Sequence, residues 1–158
     1  MRGLAQPIRI LLAYLKVDFT DVIYEQGDAP DYSLASWLDV KDSLGLQFPN
    51  LPYYVDGDVR LTGHLAIFKY IANRYDSRLL GESHEAMGEV EMMAHTLTEL
   101  MKQASLPCYI EGVDQDEFAS NLLSSISAVA NFLDSKSFLT GEQLTYPDYM
   151  LFELCERI

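Results

Sequence analysis

The segment Phe48-Pro49-Asn50-Leu51-Pro52-Tyr53-Tyr54-Val55-Asp56-Gly57-Asp58-Val59-Arg60-Leu61-Thr62 constrains the fold more than any other part of the chain. Pro52 removes a backbone donor just ahead of a β-prone run, and an X-Pro bond that takes the cis form turns the chain sharply. Such a turn would present the N–H and C=O of Leu51 outward, where an extended peptide could pair with them. Tyr53 to Val55 reads as a short strand, Asp56-Gly57 as a hairpin turn, and Val59 to Leu61 as the returning strand. A rigid turn, a hairpin and a helix start in so few residues make a ligand platform.

The flanking sequence supplies the scaffold. Ile8, Leu11, Leu12 and Leu15 recur at i, i+3, i+4 and i+7, which predicts a first helix with one core face and Pro7 in its opening turn. Phe19 to Tyr24 alternates toward a strand, Asp31 to Leu44 is irregular or weakly helical, and Gly63 to Tyr75 predicts a helix after the hairpin. A short connection from Asp76 to Glu82 marks a domain boundary. Beyond it, Val90, Met93, Leu97, Leu100 and Met101 predict one long helix from Ser83 to about Tyr109, with Glu85 in its first turn and Pro107 ending or kinking it. Asp116 to Leu133 predicts another, striped by Phe118, Leu122, Ile126, Val129 and Leu133. Thr145-Tyr146-Pro147-Asp148 has the form of a capping box that opens a last helix. Methionines 87, 92, 93 and 101 are read as packing residues.

Bulk properties exclude several classes of function. A net charge of −13, from 11 Lys and Arg against 24 Asp and Glu, repels nucleic acid and anionic membrane surfaces. No apolar run approaches the roughly 20 residues that cross a bilayer. Cys108 and Cys155 are distant from each other, without a C-x-x-C pair or a neighbouring His cluster, so they are read as buried free thiols and no metal site is expected. No charged leader followed by an apolar stretch opens the chain, and a cytoplasmic setting is the expectation.

The order of these motifs resembles the mu-class glutathione transferases. Phe48-Pro49-Asn50-Leu51-Pro52-Tyr53 before an Asp-Gly hairpin is similar to their glutathione-binding half, and so are Ala5-Gln6-Pro7-Ile8-Arg9, Gly27-Asp28-Ala29-Pro30-Asp31-Tyr32, Trp37-Leu38 and Leu44-Gly45-Leu46. Leu139-Thr140-Gly141-Glu142 and Thr145-Tyr146-Pro147-Asp148-Tyr149 resemble the helix-start motif of their second domain. The resemblance implies an α/β thioredoxin-like N-terminal domain over residues 1–76, lacking its first strand, and an all-helical, truncated C-terminal domain over residues 83–158. Without closing helices, Phe152 and Leu154 are expected to lack cover.

The resemblance also implies a reaction, the addition of the glutathione thiolate to an electrophilic compound, with glutathione as co-substrate and no bound cofactor. The implied glutathione-binding residues are Trp37 and Lys41 on the glycyl carboxylate, Asn50, Leu51 and Pro52 along the cysteinyl backbone, Gly63 and His64 at the γ-glutamyl end, and Glu99 on the amino group across a dimer. Tyr109 corresponds to the tyrosine that faces a small hydrophobic electrophile, and Phe48 to an aromatic key in a homodimer interface. The sulfur-activating tyrosine of the mu class falls just before the position of Arg2-Gly3-Leu4. Gly63-His64 replaces the family's Gln-Ser pair, and losing two side-chain contacts weakens binding by about one to three decades. A second reading therefore stands beside the enzyme, a non-catalytic binding or structural protein of the same fold.

Overall fold

The computed structural model describes residues 3–108, 112 and 114–156. Its contacts divide the chain into two compact units, Met1–Ile71 and Ala72–Ile158. Among the described residues there are six α-helices and one two-stranded sheet.

In the first unit, α1 (Gln6–Tyr14) carries Pro7 in its opening turn and buries Ile8, Leu11 and Leu12, the face that the apolar spacing predicts. It stops in a Schellman motif. Val17 N–H reaches Leu12 C=O at 3.0 Å and Lys16 N–H reaches Ala13 C=O at 3.1 Å, with Lys16 at the left-handed position. The run Phe19 to Tyr24 is not a strand, contrary to its alternating pattern, and Phe19, Val22 and Ile23 are exposed. A strand exists only through the ladder it shares with a neighbour. The two strands of the described sheet pair with each other and leave this segment outside.

Helix α2 is one turn, Ala35–Leu38, followed by a 3₁₀ turn at Lys41–Ser43. The Leu51-Pro52 bond is cis. β1 (Tyr53–Asp56) and β2 (Val59–Thr62) form the expected hairpin, with Gly57-Asp58 as its connection and Tyr53 opposite Thr62. α3 (His64–Tyr75) follows at once and buries Ile67, Phe68, Ile71 and Ala72.

The second unit is helical. α4 (His84–Ser105) starts at Ser83, whose hydroxyl accepts the Ala86 N–H at 3.1 Å, and ends where Pro107 enters a 3₁₀ turn, Leu106–Cys108. Its buried face holds Val90, Met93, Ala94, Leu97, Leu100 and Met101. Met87 and Met92 are exposed instead, Met92 because it falls off that stripe and Met87 because it lies in the first turn, at the open end of the helix. α5 (Gln115–Leu133) is capped by the Asp114 carboxylate, and α6 (Tyr146–Cys155) by the capping box read from the sequence. Both pack on α4. The Tyr146 hydroxyl donates to Glu91 at 3.1 Å, and burial together with the Glu91 charge pushes its pKa well above the usual tyrosine range. Leu154 is buried after all, on the face of α6 that carries Met150, whereas Phe152 is exposed. Cys155 is also exposed, in the last turn of α6 beyond the buried face, so it is not a buried thiol.

Candidate functional site

The hairpin register brings two of the sequence-predicted segments to one place. Tyr53 and Thr62 are partners across the ladder. The Asn50-Leu51-Pro52 turn immediately precedes one of them, and Gly63-His64 immediately follows the other. Both candidate ligand-facing segments therefore lie at the same end of the hairpin, next to the first turn of α3.

Trp37 reaches this end from α2. Its indole stacks on the Tyr53 ring, with centroids 6.0 Å apart and planes 18° from parallel, and meets the edge of Tyr24 at 5.1 Å and 66°. The Tyr24 and Tyr53 hydroxyls lie 3.0 Å apart, in hydrogen-bond contact. Burial, reinforced by the Tyr24 hydroxyl, pushes the Tyr53 pKa up to about 12, so this hydroxyl stays protonated through the physiological range. Aromatic pairs of this geometry contribute about 0.5–1.5 kcal/mol beyond the area they bury.

Two expected anchors are already engaged. Lys41 Nζ contacts both carboxylate oxygens of Asp42, at 3.0 and 3.3 Å. The Leu51 N–H, expected to face outward, donates to the Asn50 side-chain oxygen at 2.8 Å. The physical reason is local: an Asn one residue back reaches its neighbour's amide more readily than any distant group does. An extended peptide would have to displace Asn50 to use the single Leu51 N–H, and would share the Lys41 ammonium with Asp42.

At the other strand end, Gly63 has φ of 84°, the left-handed region that an L side chain enters at a cost, and a Cβ there would meet open space. His64 is half-buried in the first turn of α3.

The glutathione S-transferase N-terminal domain family matches residues 1–73. A glutathione S-transferase from Dermatophagoides pteronyssinus is 36% identical over 98% of this chain and 71% of its own length. The Mu 1 glutathione S-transferase of Bos taurus is 34% identical over 99% of this chain and 72% of its own. The chain belongs to the glutathione S-transferase family. The solved glutathione S-transferase Blo t 8 superposes with a TM-score of 0.79 at 29% identity, covering 98% of this chain and 72% of that one. As in this family, a thioredoxin-like N-terminal domain with a small antiparallel sheet precedes a helical C-terminal domain.

The remaining residues implied by the glutathione S-transferase resemblance are distributed over both units. Phe48 is the most exposed large apolar residue described, at 75%. Glu99 is exposed on α4 and paired with Lys102 at 2.8 Å, one helical turn on. Tyr109 lies outside the described residues. No group of three or more His, Cys, Asp or Glu that could hold a metal ion occurs among the described residues, and no described helix is long and apolar enough to cross a membrane. Tyr24, Tyr53 and Asp42 did not stand out in the sequence as site residues. The charge of Asp42 beside Lys41 was a usable signal, but the tyrosines come together only through the fold.

Proposed function

We propose that this chain binds glutathione at the hairpin end and conjugates it to electrophiles in the manner of the mu class. The observation that carries the reading is the convergence of Trp37, the Leu51-Pro52 turn and Gly63-His64 on the Tyr53–Thr62 end of the hairpin. Trp37 and Lys41 would hold the glycyl carboxylate by an N–H and an ammonium. Asn50, Leu51 and Pro52 would line the cysteinyl segment, and the first backbone N–H groups of α3, with Gly63 and His64, would receive the γ-glutamyl carboxylate. In the reaction the glutathione sulfur forms the new carbon–sulfur bond and the thiol proton leaves to solvent. The electrophile's leaving group departs, or its double bond takes up the electron pair.

Calorimetric titration with glutathione tests this. The unchanged chain is expected to bind, and Asp42→Asn to bind up to about five-fold more tightly, because an exposed ion pair that opposes the ligand is worth up to about 1 kcal/mol. A Gly63→Gln/His64→Ser variant is expected to bind about ten-fold more tightly, while its fold loses about 1 kcal/mol or more to the left-handed backbone at residue 63. Absence of binding in all three, each with a cooperative melt, would sink the reading. The replaced polar pair and the engaged Lys41 favour a second reading, binding without turnover. It predicts glutathione affinity but no conjugation of a generic aromatic halide by the purified chain.

The exposure of Phe48 beside Pro49 supports a homodimer, since a large apolar side chain this bare gains by burial against a second copy. In that dimer Glu99 would face the ligand of the other subunit, and Tyr109 the electrophile. Sedimentation should show Phe48→Ser shifted toward monomer by about ten-fold or more in dissociation constant, from the roughly 1.5–3 kcal/mol of a buried phenyl ring. Unchanged sedimentation would remove Phe48 from the interface.

A further inference from the structure

Trp37 sits in a helix that cannot place it unaided. α2 has four residues, and its N-cap, Leu34, offers no side-chain cap. A single helical turn in water is unstable because nucleation fixes several dihedrals for one hydrogen bond. The position of the indole must then come from tertiary contacts. These include the stack on Tyr53, the edge contact with Tyr24, the hydroxyl pair between the two tyrosines, and a 2.6 Å hydrogen bond from Ser36 Oγ to Glu25 C=O. Tyr24 and Glu25 belong to a segment outside the sheet, and Tyr53 opens β1. The hydroxyl pair is therefore a tie between that segment and the hairpin, with Trp37 against both rings.

We infer that Tyr24 and Tyr53 are positioning residues for Trp37, and that their hydroxyl-to-hydroxyl bond sets how well the site grips the carboxylate at the glycyl end of its ligand. The inference rests on the proposed glutathione reading. Removing either hydroxyl leaves both rings in place, so the packing survives while the tie is lost. Tyr53 remains a neutral partner in that tie at physiological pH, because burial and the Tyr24 hydroxyl both disfavour its ionised form.

Trp37 is the only tryptophan of the chain, so its fluorescence reports on this place alone. The experiment compares Tyr24→Phe, Tyr53→Phe and the double variant with the unchanged chain in three readouts: acrylamide quenching of Trp37, the melting curve, and calorimetric affinity for glutathione and for γ-glutamylcysteine, which lacks the glycyl carboxylate. Each single variant is expected to raise quenching and to weaken glutathione binding by about two- to ten-fold, the range of one hydrogen bond. γ-Glutamylcysteine binding should be unchanged, and the double variant should be no worse than either single one, since all three break the same bond. A purely structural role would lower the melting temperature and leave quenching and the affinity ratio of the two ligands as they were. That result, or equal weakening for both ligands, overturns the inference while the glutathione reading stands. Failure of the unchanged chain to bind glutathione overturns the reading itself, and this inference with it.

Discussion

Asp148→Ala should lower the melting temperature of the helical unit by about 6–12 °C. One carboxylate holds three groups: Oδ1 accepts the Leu139 N–H at 2.9 Å, while Oδ2 accepts the Thr145 N–H at 2.8 Å and the Thr145 hydroxyl at 2.9 Å. The Thr145 N–H bond is one half of the capping box of α6, the Thr145 hydroxyl adds a second tie between the same two side chains, and the Leu139 bond ties the preceding turn to them. Losing such a cap costs about 1 kcal/mol, and an amide left unpaired in a buried position adds about 1–3 kcal/mol. Leu139 is fully buried, so water does not readily replace the lost partner. A total near 3 kcal/mol corresponds to that shift for a chain of this size. Asp148→Asn keeps the shape but has one acceptor oxygen, and should lose about half as much. A melt of Asp148→Ala within about 1 °C of the unchanged chain would show that the turn is held by something else.

The same stretch shows why some of the fold was legible in the sequence. Capping chemistry and apolar periodicity are local, so Thr145 to Asp148, the face of α1 and the stripe of α4 could be read residue by residue. Phe19 to Tyr24 has an equally clear local pattern and is not a strand, because strand formation depends on a partner that the pattern does not specify. Met87 is in phase with the stripe of α4 but bared by its place in the first turn, whereas Met92 was read by type rather than by phase on the helix. Cys155 was misread in the same way.

The site divides along the same line. Contiguous features such as the proline turn and the hairpin were visible, whereas it is the register, with Tyr53 opposite Thr62, that puts Gly63-His64 and Leu51-Pro52 at one end of the hairpin. Tyr24, Trp37 and Tyr53 are separated by 13 and 16 residues, in three segments with no shared periodicity, so their ring cluster exists only in three dimensions. The engagement of Leu51 by Asn50 was missed for the opposite reason. It is as local as a contact can be, but it depends on a side-chain rotamer rather than on residue type.

Gly81 and Gly88 should respond in opposite senses to the same added methyl group. Gly81 has φ of 90° and ψ of 144°, a region that is essentially closed to other residues. A Cβ at this position would lie 2.8 Å from Ala86 C and 2.8 Å from Met87 N. Both are backbone atoms in the first turn of α4, so relief requires the helix start to move rather than a side chain to swing aside. Strain of about 1–3 kcal/mol and overpacking of about 1–3 kcal/mol together place the cost of Gly81→Ala near 4 kcal/mol. Gly88 lies within α4, has no neighbour that a Cβ would meet, and lowers helix propensity where it stands. Gly88→Ala should therefore stabilise by about 0.5–1 kcal/mol. Urea denaturation of the two variants checks both signs at once. Gly81 alone is buried and tightly approached, so equal effects in the two variants would mean that the close backbone passage into α4 does not govern how the helical unit begins.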